Sequence, residues 1–450
     1  MPPWSSLLLV ALACAWAGLP HRAAASTQDY CMAKDPNPFA SFGTRAPYEV
    51  SGANLDASPV RLEGCKAVQL WLLGRHGTRH GRDADIELIL KLTKLKAQMA
   101  ELKSSGQSVG LCDTDLENIL KWYPNVDRSM SAQLTPQGQQ DLLKMGERYR
   151  ARFPDLFEDL NPASFQFKYD ETDRCIESSQ WFYKGIFGEF PAQGEGTVDG
   201  LPDFYNRCPA YLGPIASDFV MGAFNKFKKS NEWADMTKRV SARLGFHHNL
   251  DVGDIDALYT ACSFERARNW EYGKTSPWCA AFRKDDFEVL EYWYDMKEYY
   301  RTGYGHKIHE KLGCVPIKDL VKSFEARVGA SAPAPPSGLI YHSHDTLLNQ
   351  VVAFLGLYRD QDKMREDGFE RLRNRKWRVT QFSPFASNIA AVLHECSSGD
   401  RFRVQMFLNE KLLPLQDWGC DSDSCTWTQF MSKFGHVLSN CKQRRLCWGL

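Results

Sequence analysis

Seven residues, Ala67-Val68-Gln69-Leu70-Trp71-Leu72-Leu73, are apolar at all but one position and close on Gly74. Directly behind them stands Arg75-His76-Gly77-Thr78-Arg79. The run is too short for a core helix and is bounded by glycine, so it reads as a buried strand. The basic pentad is thereby fixed at a strand exit. A histidine nitrogen there can attack phosphorus and carry the phosphoryl group covalently. Two guanidinium forks can hold the equatorial oxygens as charge redistributes. Gly77 lets the backbone come close to a bound anion. The competing reading is a basic strand end with an ordinary surface histidine.

The remaining pattern alternates strands with helices. Apolar positions from Ile86 to Leu102 recur at helical spacing, with Lys91, Lys94, Lys96 and Lys103 on or near a polar side that reads as solvated. Pro136 to Phe153 is a second amphipathic helix stopped by Pro154. Phe165 to Tyr169 alternates as a strand and leads through a polar turn to Arg174, with a helix from about Ile176 to Phe187. Residues 191–330 are helical and aromatic, Asp285 to Tyr300 most clearly, and read as an inserted helical lobe. The Pro-rich stretch Ser331 to Gly338 ends it as a stiff linker. Strand Leu339-Ile340-Tyr341, the corner His342-Ser343-His344-Asp345, a helix from Thr346, and strands at Asn388–His394 and Phe402–Leu408 complete the chain. The expected fold is α/β, a doubly wound and mostly parallel sheet formed by 26–190 and 331–450, with 191–330 inserted.

Composition narrows the partners. Lys+Arg and Asp+Glu are both 55, so no global charge points to nucleic acid or a membrane surface. Residues 1–25 combine a short apolar core, Leu7 to Ala17, with the small-residue stretch Ala23-Ala24-Ala25-Ser26, and read as a secretory signal peptide. An n-region without Lys or Arg leaves an uncleaved anchor as the alternative. No later stretch is apolar enough to span a bilayer and the C-terminus is not an ER-retention signal, so a secreted or lumenal protein is expected. Of the 14 cysteines, Cys14 falls in the signal segment, and the 13 left read as a disulfide framework with an odd thiol. Proximity suggests local bridges Cys262/Cys279, Cys420/Cys425 and Cys441/Cys447, with Cys31, Cys112, Cys175, Cys208 and Cys314 unassigned.

Three strand-to-helix corners carry unusual polar residues: Arg75/His76/Arg79, Arg174, and His344/Asp345. Ligands in open α/β sheets sit beyond the carboxyl ends of strands, where distant corners converge. Together they assemble a phosphomonoesterase: His76 as nucleophile, Arg75, Arg79, Arg174 and His344 on the phosphoryl oxygens, Asp345 as proton donor. Taken singly, each has a plainer explanation. Arg174 pairs with Asp170 or Asp173, Asp345 caps a helix, and His342/His344 make two metal ligands without a third. No metal and no cofactor is expected.

These residues resemble the histidine acid phosphatases, in which R-H-G-x-R-x-P opens the site and His-Asp or His-Ala-Glu closes it. More narrowly the chain is similar to the multiple inositol polyphosphate phosphatases, animal relatives of fungal phytases, through Ala261 to Phe264, Ser276 to Cys279, Gly303 to Gly305, Phe385 to Asn388 and Phe402 to Lys411. The resemblance implies hydrolysis of phosphate from inositol polyphosphates, an anionic small-molecule substrate, through a phosphohistidine. The alternatives are a general acid phosphatase and a non-catalytic phospho-ligand binder. It further implies a Cys65–Cys396 bridge. Two departures stand out: Gly81 replaces the motif proline, and the closing motif reads His-Ser-His-Asp. Asp345 is then the acid, and its partner is His344 or His342, with His344 the preferred assignment and Glu171 or Asp173 the reserve carboxylates.

Overall fold

The computed structural model describes residues 30–53, 55–192, 196–329, 335–421 and 423–449. The signal segment 1–25 and residues 331–334 of the linker lie outside the described residues. The strands are β1 (Cys65–Arg75), β2 (Phe165–Tyr169), β3 (Thr197–Val198), β4 (Gly338–Ser343), β5 (Asn388–Cys396), β6 (Phe402–Leu408), β7 (Lys411–Leu412) and β8 (Cys425–Thr426). They form one sheet in the order β3-β2-β4-β1-β5-β6-β7, with β8 on β6.

The α/β class stands, and within it the sheet is mixed. β1–β4, β4–β2 and β2–β3 pair parallel, whereas β1–β5, β5–β6, β6–β7 and β6–β8 pair antiparallel. Linker length explains part of the division. β1, β2 and β4 are separated by helices long enough for a parallel crossover, while β5 and β6 are joined by a short turn that only an antiparallel pair accommodates. The mostly parallel expectation therefore holds on the side of the sheet that carries all three corners.

β1 is continuously apolar because both its faces are covered. Leu70 and Leu72 pack with Leu142, Met145, Phe182 and Ile186 of the helices Pro136–Arg152 and Asp173–Phe187. Trp71 and Leu73 pack on the other face in a larger cluster. That cluster continues into Leu258 and Tyr259 of Val252–Arg268, Leu290 and Met296 of Lys284–Thr302, and Leu320 of Cys314–Val328. The helical stretch thus shares its core with one face of the sheet.

Six disulfides are present: Cys31–Cys112, Cys65–Cys396, Cys208–Cys447, Cys262–Cys279, Cys314–Cys441 and Cys420–Cys425. Cys175 is free and buried. The Cys441/Cys447 pairing suggested by proximity is not formed. The C-terminal helices pack against different parts of the helical stretch, Gln443–Trp448 on Pro209–Ala216 and Val437–Asn440 on Cys314–Val328, and each cysteine meets the partner its helix faces. Among the described residues no helix is long and apolar enough to cross a membrane.

Candidate active site

The exits of β1, β2 and β4 lie side by side because these strands are parallel neighbours. The backbone of the motif is clamped on both sides. His76 N donates to Ser343 O at 3.0 Å, and His76 O accepts from Ala386 N at 3.0 Å. Gly77 is required by packing: a Cβ there would stand 2.4 Å from Gly138 O. The close approach seen at Gly77 is to the first turn of Pro136–Arg152. Thr78 Oγ1 donates to Asp141 on that helix at 2.7 Å, and Gly77 N donates to Ser178 Oγ at 3.0 Å. Gly81, in the proline position, packs against Asp85.

His76 is buried, and its Nδ1 lies 2.9 Å from Gly77 O. That carbonyl accepts only, so Nδ1 carries the proton and Nε2 keeps its lone pair. Burial holds the His76 pKa well below the ordinary imidazole value, helped by the charges of Arg75, Arg174, His344 and Arg79. The ring is therefore neutral and nucleophilic.

Arg75 is locked. It donates to Thr44 O at 2.6 Å and Ser383 O at 3.0 Å, pairs with Asp345 at 3.3 Å, and lies 4.6 Å from the centre of the Phe385 ring. Arg79 stands 5.6 Å from the Phe264 ring, and burial with the nearby Arg82 and Arg75 charges pushes its pKa down to about 9. Phe264 and Phe385 lie 6.4 Å apart and form an aromatic shelf under these guanidinium groups. Arg174 makes no ion pair with Asp170 or Asp173, and approaches His344 Nδ1 at 3.5 Å.

Of the two candidate histidines, His344 is in the site and His342 is not. The His344 ring lies 5.4 Å from that of His76, and its Nε2 is 3.1 Å from Asp170 Oδ1. Burial opposes its charge, but the Cys175 sulfur and the Asp170 carboxylate outweigh burial and raise its pKa to about 9. His342 is buried inside β4 beside Phe182, with no hydrogen bond to either ring nitrogen, and burial pushes its pKa down to about 3. Ser343 donates to Pro202 O instead of entering the site. Glu171 and Asp173 are exposed. For Asp345, burial favours the neutral acid, but Arg75, Arg301, His344 and Arg79 together hold its pKa below the ordinary carboxylate range.

Several participants escape sequence inspection. Asp170 orients His344. Arg301 and Lys297 arrive from Lys284–Thr302, and burial pushes Lys297 down to about 8. Arg45 stands 4.8 Å from the Phe264 ring, bonded to Asp85 at 2.7 Å. Their signals were faint, because single charged residues on a charged helix or an irregular arm look solvated. Only Phe264 and Phe385 sat in segments already marked by the resemblance.

Comparison with known proteins settles the lineage. The Histidine phosphatase superfamily (branch 2) matches residues 67–409. A multiple inositol polyphosphate phosphatase 1 from Drosophila melanogaster is 31% identical, covering 91% of this chain and 88% of its own. The chain belongs to this family. The Homo sapiens multiple inositol polyphosphate phosphatase 1 is 30% identical over 85% of this chain and 80% of its own. Among solved structures, the phytase from D. castellii has a TM-score of 0.68 at 15% identity, covering 89% of this chain and 87% of that one. The Bifidobacterium longum multiple inositol polyphosphate phosphatase, in complex with inositol hexasulfate, has a TM-score of 0.61 at 15% identity, covering 84% and 93%. At such identities the two structures establish a shared fold. The chain is a histidine phosphatase in architecture and in sequence.

Proposed function

We propose that this protein removes phosphate from inositol polyphosphates by way of a phosphohistidine on His76. The observation that carries the reading is the tautomer. Nδ1 is committed to Gly77 O, so Nε2 presents its lone pair inside a ring of Arg75, Arg79, Arg174 and His344.

The phosphoryl oxygens bind those four cations, and Nε2 attacks phosphorus in line with the ester bond. The P–O bond breaks as the N–P bond forms, and Asp345 delivers a proton to the departing alkoxide. In the free enzyme Asp345 is ionised against Arg75. A bound phosphate dianion neutralises the cations around it and raises its affinity for a proton. In the second half, water attacks phosphorus, the N–P bond breaks, and Asp345 accepts the proton water loses.

Preference for a polyphosphorylated substrate is supported by Arg45, Lys297 and Arg301, cations beyond those one phosphoryl group needs. The disulfide framework favours a secreted or lumenal setting. A radiolabelled phosphate ester, quenched in alkaline denaturant, should leave an acid-labile label on wild type and none on His76→Ala. The variant's turnover should fall about 10⁴-fold or more while it still binds inorganic phosphate. Near-normal turnover would remove His76 from the role. Faster hydrolysis of p-nitrophenyl phosphate than of inositol hexakisphosphate, in kcat/KM, would favour a general acid phosphatase.

A further inference from the structure

Three metal-ligating side chains converge here from three elements: Asp170 at the exit of β2, Cys175 in the first turn of Asp173–Phe187, and His344 at the exit of β4. Their ligand atoms all lie within 4.8 Å of one another. His344 Nε2 is 3.1 Å from Asp170 Oδ1 and 3.9 Å from Cys175 Sγ. A tetrahedral Zn²⁺ with ordinary bond lengths to nitrogen, oxygen and sulfur sets its nitrogen about 3.3 Å from oxygen and about 3.6 Å from sulfur. The two distances from Nε2 lie within a few tenths of an ångström of those values, and the Cys175 sulfur, now also 4.0 Å from Nδ1, has to rotate toward the Nε2 side to complete the set.

We propose that Asp170, Cys175 and His344 form an inhibitory site for a thiophilic divalent cation, with Zn²⁺ the best fit, that captures His344 and withdraws it from the phosphoryl group. The inhibition rests on the role given to His344 above; the binding does not. Soft thiolate with imidazole and carboxylate selects zinc-like ions over magnesium or calcium. The arginines nearby are no obstacle on charge grounds. With thiolate and carboxylate as ligands, two negative charges offset the two positive charges of the ion. Arg174 lies against Nδ1, leaving Nε2 to the metal. The fourth coordination position is left to water. The ion acts here as a brake and not as a cofactor.

Co²⁺ is the spectroscopic probe, because a Co²⁺–thiolate bond absorbs in the near ultraviolet. All other cysteines among the described residues are in disulfides, so the band reports Cys175. The disulfide-intact enzyme, titrated without reductant, should develop the band, and Zn²⁺ should abolish it. Zn²⁺ should inhibit p-nitrophenyl phosphate hydrolysis competitively, and chelator should restore it. Cys175→Ala should lose the band and weaken inhibition, relative to its own metal-free rate, by more than the roughly 10- to 100-fold that even an outer-shell change costs a metal site. Cys175→Ser removes the same sulfur if the alanine variant does not fold. Absence of the band, or undiminished inhibition of both variants, overturns the site. A band without inhibition overturns the brake and counts against His344 as a phosphoryl ligand, leaving His76 untouched.

Discussion

Asp345, the proposed proton donor, is held in its ionised form by Arg75 at 3.3 Å, and the proposed role requires that substrate supply the proton affinity. Asp345→Asn should therefore slow inositol phosphates, whose alkoxide leaves poorly, by about 10²- to 10³-fold. Losses on p-nitrophenyl phosphate should be only several-fold, since that leaving group scarcely needs protonation. Equal losses on both substrates would make Asp345 a positioning group. His344 carries the opposite shift. Its folded pKa of about 9 lies above the ordinary 6.5, so its stabilisation is complete below pH 6.5 and disappears as pH rises through about 9. The gap corresponds to on the order of 3 kcal/mol. With chelator present, urea midpoints should fall between neutral pH and pH 9 in wild type, and much less in Asp170→Asn; parallel curves would separate the His344 charge from Asp170. Asp170 shows where sequence inspection ran out at this scale. It read as a partner for Arg174, close by in the same polar turn, but the parallel β2–β4 pairing carries it to a histidine 174 positions away.

At the scale of elements, the strands that carry the site were legible because each ends in a pattern with one physical explanation: an apolar run, then a polar corner, then a helix. Their order was not, since it depends on which helices cover which face, and such contacts leave no periodicity. Lys284–Thr302 makes the point. Its helical spacing was plain, but Asp286, Glu291, Asp295 and Glu298 are all buried, so its polar side faces protein and hides Lys297 and Arg301 from any reading that puts charge in water. The hairpin between β6 and β7 repeats the lesson. Asn409 and Glu410 both take left-handed backbone, the geometry of a two-residue turn that suits asparagine and strains glutamate. Glu410 is nevertheless buried, accepting two bonds from Arg148 at 2.7 and 2.9 Å and one from Tyr48 at 2.9 Å. Arg152 donates to its carbonyl at 2.6 Å. Glu410→Gln keeps the shape and removes the charge that balances Arg148, so it should cost about 3 kcal/mol. The urea midpoint should drop at unchanged slope, and an unaltered midpoint would mean the network is carried by its neutral bonds.

For the whole molecule the question is whether the helical stretch behaves as a separate body. The sequence suggested an insert because strand signals vanish from 191 to 330, and composition cannot tell an insert that stands apart from one that shares a core. Three observations point to sharing. Trp71 and Leu73 of β1 lie in one continuous cluster with Leu258, Leu290 and Leu320 of the helices. Cys208–Cys447 and Cys314–Cys441 fasten the stretch at both ends to the C-terminal tail. Arg301, from one of its helices, acts on the charge of Asp345. An insert so tied loses part of its core when the sheet opens, so the two should unfold together. Calorimetry of the disulfide-intact protein should give one transition whose calorimetric and van't Hoff enthalpies agree. Loss of p-nitrophenyl phosphate hydrolysis should follow the same curve as tryptophan fluorescence. Two resolved transitions, with activity lost in the first while the second remains, would show a helical lobe that folds independently and merely leans on the site.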